Sequence, residues 1–239
     1  MNDAILFKNI NKSLSGKKIL DNVNIKVRKG EIYALLGANG AGKTSLIKMI
    51  YNILVPDSGE VIILGEKIKK SANKVYKKIG AIIEVPVFYE RMSAFRNLEI
   101  YCDYMDISDR RCIVDIFEKI GLKGCEKTPV NNYSLGMKQR LALGRALLTK
   151  PEILVLDEPI NGLDPIGINQ FREFVLNINK QYGTTIFISC HILDEVAKMA
   201  DKVGIMHKGI MLSEKYIQEI INESGSLEEY YMSLVNGRA

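Results

Sequence analysis

The chain has 239 residues, of which 47% are hydrophobic and 26% are charged, with a formal net charge of +5, as in an ordinary globular protein. No apolar run approaches the roughly 20 residues that a bilayer-spanning helix needs, which excludes a transmembrane segment. The N-terminal stretch MNDAILFKNINKS also lacks the apolar core of a signal peptide. We therefore expect a cytoplasmic protein that would reach a membrane only through another chain.

The first third of the chain and its second half have the pattern of buried β-strands. Six strands are predicted, at 4–10, 19–30, 31–37, 152–157, 184–190 and 201–209. The strand at 31–37, EIYALLG, is apolar almost throughout, which is typical of a strand covered on both faces. Helical segments separate the later strands, so the sequence indicates a mostly parallel α/β sheet.

Residues 86–135 differ, because helical segments follow one another there with no strand between them. This pattern predicts a helical lobe inserted into the sheet domain. We divide the single domain into a core (1–85 and 150–222), a helical lobe (about 86–149) and a C-terminal tail helix with a frayed end (223–239).

The cysteines and the lysine-rich segment argue against two other classes of site. Four cysteines without a C-x-x-C spacing, and two histidines, predict reduced thiols rather than a disulfide framework or a metal cluster. Lysines cluster at 65–80, but no interleaved aromatic residues or known reading module accompany them. A solvated helix face explains this cluster better than a nucleic-acid partner.

A phosphate-binding loop follows the strand at 31–37. GANGAGKT fits the pattern G-x-x-x-x-G-K-[ST] and lies between a buried strand and a helix, the context that such a loop requires. Its backbone amides would surround the phosphates, Lys43 would contact the β- and γ-phosphates, and the Thr44 hydroxyl would bind Mg²⁺. The alternative is a flexible strand–helix turn. The residues predicted to contact nucleotide here are Gly37, Ala38, Asn39, Gly40, Ala41, Gly42, Lys43, Thr44 and Ser45.

The strand ILVLDEP supplies the two carboxylates that a nucleoside triphosphatase needs. Asp157 is placed to hold Mg²⁺, and the next residue, Glu158, is a candidate general base for the attacking water. In isolation, an Asp-Glu pair at a strand end is often only a solvated loop.

A second anion-binding helix start is predicted within NYSLGMKQRLALGRALLTKP, residues 132–151. With the preceding motifs, this stretch resembles the ATP-binding subunits of ABC transporters, whose signature is written LSGGQ. Ser134 and Gly136 are kept, whereas Met137 and Lys138 depart from the signature. The resemblance implies that residues 134–138, Leu135 included, cap the γ-phosphate of ATP bound by a second copy of the subunit. The alternative is an ordinary helix N-cap.

Three further positions gain a role from the same resemblance. Asp164 in NGLDP looks like the residue that helps to join the two sites of the dimer. His191 matches the family's switch histidine, which contacts the γ-phosphate and the attacking water. Leu14 stands where an aromatic residue commonly stacks on adenine, and it offers apolar contact instead.

Glu84 occupies the position where the family usually has a glutamine that contacts Mg²⁺ and senses the membrane subunit. A glutamate there, followed by VPVFY, is similar to the subgroup of lantibiotic-immunity and bacitracin-resistance exporters. Its carboxylate would add negative charge beside Asp157, which would tighten metal binding or raise the pKa of Glu84.

Taken together, the resemblance implies an α/β fold of the P-loop NTPase class and the ABC type. A mostly parallel core would carry an antiparallel N-terminal β part and the inserted helical lobe. The chain would be an ATPase that uses ATP and Mg²⁺ at the cytoplasmic face of the membrane, with an integral-membrane transporter subunit and a second ATPase copy as partners. The alternatives are an exporter of other cargo, an ABC-type ATPase acting on ribosomes or DNA, and a P-loop kinase or GTPase.

Overall fold

The computed structural model describes residues 3–69 and 73–236. Ten strands lie within these ranges: β1 (Asp3–Leu14), β2 (Lys17–Arg28), β3 (Ile32–Leu36), β4 (Ser58–Ile63), β5 (Glu66–Lys67), β6 (Ile79–Ile82), β7 (Ile153–Asp157), β8 (Thr185–Cys190), β9 (Lys202–His207) and β10 (Ile210–Tyr216). Nine α-helices accompany them in the same ranges: α1 (Lys43–Ile50), α2 (Asn73–Tyr76), α3 (Ala94–Tyr104), α4 (Arg111–Lys119), α5 (Leu135–Leu147), α6 (Pro165–Tyr182), α7 (Leu193–Met199), α8 (Ile217–Ser224) and α9 (Leu227–Asn236). None of these helices combines the length and the apolar character that a bilayer crossing needs.

The strands form two sheets. The larger has the order β10-β9-β3-β8-β7-β6, and its pairs from β9 to β6 are parallel, with β10 added antiparallel at one edge. The smaller has the order β2-β1-β4-β5 and is antiparallel. This architecture confirms the predicted α/β class with its antiparallel N-terminal part.

Each face of the larger sheet has its own hydrophobic core. One core fills the space between the two sheets and encloses α1, with Tyr33 and Phe187 stacked at its centre. The other lies on the opposite face, beneath α5, α6 and α7, and the tail helices α8 and α9 also pack there. A third core, in the helical lobe, is formed mainly by α3, α4 and α5. Apolar side chains on both faces of β3, β7 and β8 explain why these strands are buried along their whole length.

The helical lobe packs tightly against the sheet at the last turn of α5. A Cβ atom at Gly80 of β6 would lie 2.4 Å from the carbonyl oxygen of Ala146, closer than real Cβ contacts allow. Glycine at this position therefore permits the α5 backbone to approach the strand directly.

Several elements differ from the sequence-based expectations. β4, β5, β6 and β10 were not predicted, and each is short, or exposed or half-buried along much of its length. The lysine-rich segment contains β5 and the four-residue α2, and its residues 70–72 lie outside the described ranges. The predicted tail at 223–239 contains α9, whose Leu227 is buried against the core, and the helix before it, α8, was not predicted. The last residues of that tail, 237–239, lie outside the described ranges.

Candidate active site

The predicted site residues follow strands that are neighbours in the larger sheet. The phosphate loop follows β3, Glu158 follows β7 and His191 follows β8, and these strands lie in the order β3-β8-β7. Because the three strands are parallel, their carboxyl ends meet at one edge of the sheet. The sheet topology therefore brings these three motifs together.

Two positions of the phosphate loop require glycine, Gly37 because of close backbone packing and Gly42 because of its left-handed backbone conformation. A Cβ atom at Gly37 would lie 2.6 Å from the carbonyl oxygen of Met206. Gly42 has a φ of +106°, and a Cβ there would lie 2.7 Å from Leu20 Cδ2. Between them, Ala38, Asn39 and Gly40 are exposed, and α1 begins at Lys43 with no acidic residue in its first turn. The loop thus presents its backbone at the positive end of a helix, an arrangement that fits a phosphate group.

Lys43 is buried, with 5% of its side chain exposed, and its ammonium group has three oxygen neighbours. It donates to the carbonyl oxygens of Gly37, at 2.6 Å, and Ala38, at 3.3 Å. It also lies 3.0 Å from Glu158 Oε1, without the angles of a hydrogen bond. The buried charge is therefore balanced by the predicted general base.

Glu158 contacts the other predicted catalytic residue, His191, and the predicted phosphate ligand Lys43. Its Oε1 faces Lys43, and its Oε2 lies 2.8 Å from His191 Nδ1. Its backbone has a φ of +47°, a left-handed conformation that costs a non-glycine residue about 1 kcal/mol or more. The backbone N–H donates to the hydroxyl and the carbonyl oxygen of Ser189, at 2.9 and 3.2 Å, which holds the turn in place.

Thr44 and Asp157, both predicted metal ligands, lie side by side. Thr44 Oγ1 is 3.3 Å from Asp157 Oδ1, which also accepts a 2.6 Å hydrogen bond from Ser189 Oγ. A hydroxyl and a carboxylate are hard oxygen donors, so this pair fits Mg²⁺. Ser189 was missed by the sequence reasoning. The sequence feature that could have identified Ser189 is its polar side chain inside the mainly apolar strand TTIFISC. In the structure, Ser189 lies directly opposite Asp157 in the β7–β8 register.

Glu84, the third predicted metal ligand, has a different partner. Its carboxylate forms an ion pair with Lys48 at 2.6 Å, and among the described residues it makes no hydrogen bond or ion pair with Thr44 or Asp157. Lys48 is four residues after Thr44 on α1, so the backbone of the residue that pairs with Glu84 lies one helical turn beyond that of Thr44. The role of Glu84 toward Mg²⁺ stays a prediction.

Leu14 ends β1 and is half exposed, beside a turn in which Ser15 and Gly16 both have positive φ. An exposed apolar side chain at this hairpin is available for contact with a base. The role of Leu14 toward adenine stays a prediction.

The predicted signature residues form the start of α5. Ser134 is the N-cap, and its hydroxyl accepts a hydrogen bond from the Met137 N–H at 3.3 Å. Lys138 pairs with Glu90 at 2.9 Å, and within the described ranges no hydrogen bond or ion pair joins residues 134–138 to the chain's own phosphate loop. Near Gly136, Asp164 caps α6 through a 2.7 Å bond from the Gly167 N–H.

The segment after Glu84 exposes apolar side chains on a firmly held backbone. Val85, Val87 and Tyr89 are 77%, 79% and 60% exposed. The buried Asn97 exchanges hydrogen bonds with the backbone of Tyr89, at 2.8 and 3.1 Å. The sequence did not reveal that Asn97 holds this segment.

Arg145 of α5 contacts the same segment. It donates to the Val87 carbonyl oxygen at 2.9 Å, and its guanidinium carbon lies 4.8 Å from the centre of the Phe88 ring. Burial lowers the pKa of this guanidinium. The helix that begins with the predicted signature is thus joined directly to the exposed apolar segment.

Cys190 lies between Ser189 and His191 in the chain and is fully buried. Burial raises the pKa of its thiol to about 11. The thiol is therefore neutral at physiological pH and adds no charge to the site. The other three cysteines are also free thiols.

Comparison with known proteins agrees with this geometry. The family model described as ABC transporter matches residues 20–161. The chain is 41% identical over 233 residues to the bacitracin transport ATP-binding protein BcrA of Bacillus licheniformis, covering 98% of this chain and 76% of the relative. It is 41% identical over 208 residues to the lantibiotic transport ATP-binding protein SrtF of Streptococcus pyogenes, covering 87% and 89%.

A solved structure shows the same fold over the whole chain. The cbiO1 protein of Clostridium perfringens, part of the ABC transporter complex cbiONQ, has a TM-score of 0.84 and 26% identity, covering 100% of this chain and 96% of that one. The chain therefore belongs to the ABC transporter family, as an ATP-binding subunit that hydrolyses ATP.

Proposed function

We propose that this ATPase powers the export of a peptide antibiotic and so protects the cell against it. The observation that carries the proposal is the 41% identity to two subunits named for bacitracin and for lantibiotic transport. Glu84, followed by VPVFY, supports the same cargo class. The subunit would act at the cytoplasmic face of the membrane, bound to an integral-membrane partner.

In the proposed hydrolysis, Glu158 is the general base and His191 orients it. The 2.8 Å contact between Glu158 Oε2 and His191 Nδ1 supports this assignment, since it fixes the carboxylate at the end of β7. Lys43 and the amides of the phosphate loop would hold the β- and γ-phosphates. When the Lys43 ammonium contacts phosphate, Glu158 Oε1 is free to accept a proton from water.

Thr44 and Asp157 would hold Mg²⁺, while Ser189 keeps the Asp157 carboxylate in place. The ion, when bound, neutralises charge on the phosphates. Glu84, which forms an ion pair with Lys48, would be the third ligand.

Two copies of the subunit would enclose ATP between them. The support is the position of Ser134 and Gly136 at the free start of α5, where the amides are available to a phosphate held by the other copy. Leu135 is 46% exposed at the same tip, as expected of a residue that contacts a partner.

The test of the hydrolytic mechanism is Glu158→Gln, with Glu60→Gln as a matched control. Glu60 lies on β4 in the smaller sheet and is paired with Lys67, so the control makes the same chemical change away from the site. We expect Glu158→Gln to lower ATP turnover by about 10²- to 10⁴-fold while ATP still binds and dimers form. Normal turnover in this variant would remove Glu158 from the role of base.

The test of the cargo is growth in the presence of antibiotic. The wild-type subunit and Glu158→Gln are each expressed with the membrane protein that co-purifies with the subunit, in a bacterial host sensitive to bacitracin and lantibiotics. We expect the wild type, and not the variant, to raise the inhibitory concentration of one of these peptides. An assembled, ATP-hydrolysing complex that protects against neither class would contradict the proposed cargo.

A further inference from the structure

A cavity of about 970 Å³ lies between the helical lobe and the core, at the edge of the larger sheet opposite to the edge that carries the phosphate loop. Its floor includes Pro151 and Thr184, which precede β7 and β8, so it opens at the amino ends of the strands whose carboxyl ends carry the catalytic motifs. α4 and α5 line one side, and the last turns of α6 line the other.

The interior of this cavity is mainly apolar. Its volume is within the usual range of about 300–1,000 Å³ for sites that enclose a small molecule. The apolar lining residues are Leu64, Ile116, Leu147, Pro151, Phe174, Ile178 and Tyr182.

Positive charge surrounds the opening. Four lysines line the cavity, Lys29, Lys119, Lys150 and Lys180, against one glutamate. That glutamate, Glu152, is already paired with Lys78 at 2.8 Å. Within residues 3–69 and 73–236, none of the four lysines forms an ion pair with a carboxylate, although Lys119 lies over the Tyr182 ring at 5.2 Å.

We propose that this cavity binds a monomeric amphipathic anion, which has a single apolar chain and one acidic head group. The apolar floor would take the chain, and the unpaired lysines at the rim would take the head. Neither the family's nucleotide chemistry nor the antibiotic cargo requires such a site. The lining groups are complementary to this one class of ligand, since a cation would meet four like charges and a neutral alkane would leave them without a partner.

Such a ligand would change ATP hydrolysis through α5. The C-terminal end of this helix contributes Leu147 to the cavity and is followed there by Lys150, while its N-terminal end carries Ser134. A molecule wedged between α5 and α6 therefore acts on the orientation of the lobe relative to the core. We expect ATPase activity to change when the cavity is filled.

The binding test uses a single tryptophan, because the natural chain has none. Tyr182→Trp places the reporter at the rim, where the native side chain is 54% exposed. The probe is 12-bromododecanoate, whose bromine quenches tryptophan, used below its micelle concentration. The comparison probe is the trimethylammonium compound with the same brominated chain, and a further arm uses phosphatidylglycerol vesicles.

We expect saturable quenching by the carboxylate, no saturable quenching by the cation, and saturable quenching by the carboxylate that persists at saturating ATP, even if the coupling changes its affinity. Lys119→Gln with Lys180→Gln should weaken binding about three- to tenfold, whereas Lys127→Gln, the same change at a lysine outside the cavity, should not. Exposed lysines without ion pairs can be replaced with little effect on folding.

Three outcomes of the quenching experiment would overturn the proposed binding site. Equal quenching by the cation, identical affinity in the double lysine variant, or complete displacement by saturating ATP would each show that the probe does not use this cavity as described. Binding to vesicles without binding of the monomeric carboxylate would assign the lysines to a membrane surface. Saturable binding that leaves ATPase activity unchanged would refute the coupling through α5 and retain only the site.

Discussion

Arg145→Met tests whether α5 holds the exposed apolar segment. Methionine keeps an unbranched stem of similar length but removes the guanidinium. The change eliminates the 2.9 Å hydrogen bond to the Val87 carbonyl and the contact with the Phe88 ring.

The magnitude follows from these two contacts. A hydrogen bond from a charged donor contributes about 1.5–3 kcal/mol, and a partly buried cation–π contact about 1 kcal/mol. The desolvation that lowers the pKa of Arg145 opposes them, because methionine is buried without this cost. The net loss in the free energy of unfolding is about 2 kcal/mol, which for a chain of this size lowers Tm by roughly 4–8 °C.

Two measurements check this prediction. Thermal unfolding gives the change in Tm, and amide hydrogen exchange compares residues 85–92 with the rest of the chain. We expect faster exchange in that segment for Arg145→Met, and an intermediate effect for Arg145→Lys, which keeps the charge but not the planar fork.

The outcome that refutes the reasoning is an unchanged Tm together with unchanged exchange in residues 85–92. A lower Tm with unchanged exchange would mean that Arg145 stabilises α5 alone and does not hold the segment.

Three other substitutions or conditions give measurable outcomes. Ser189→Ala removes the 2.6 Å hydrogen bond to Asp157 and the 2.9 Å bond that the hydroxyl accepts from the Glu158 N–H, so the free energy of unfolding in urea should fall by about 1–3 kcal/mol. In steady-state kinetics, ATP turnover should fall more than ATP affinity. Glu84→Gln breaks a half-exposed ion pair with Lys48, so the free energy of unfolding should change by less than about 1 kcal/mol. A shifted Mg²⁺ dependence of ATP turnover in this variant would reveal that Glu84 has a role in metal binding. The pKa of the Cys190 thiol is raised from 9.0 to about 11 in the folded chain, so the free energy of unfolding should be constant below pH 9 and fall as pH rises from 9 toward 11. In urea unfolding, Cys190→Ala should reduce this loss between pH 9 and 11.

The sequence predicted the positions of the motifs well because they lie at the ends of long apolar strands. Strands such as ILVLD are apolar on both faces, so their ends are visible without any knowledge of their neighbours. The order of the parallel strands then places Lys43, Glu158 and His191 at one edge.

The contacts that hold the site could not be predicted in the same way. Ser189 and Asn97 act through partners that are adjacent only in the folded chain, and a lone serine or asparagine has many structural explanations. The pairing of Glu84 with Lys48 likewise depends on where the loop after β6 crosses α1. The half-exposed β10 was missed because its pattern resembles that of a loop.

The direct contact between Gly80 and the last turn of α5 holds the C-terminal end of that helix against the sheet, while its N-terminal end lies farther away. From Ala146 to Gly136 the helix rises about 15 Å, so a rotation of about 10° around the contact displaces the tip by roughly 3 Å. A hydrogen bond is lost over a smaller distance than this. In the proposed dimer, a rotation of this size would make or break a hydrogen bond between the tip and the partner's phosphate without any movement of the sheet.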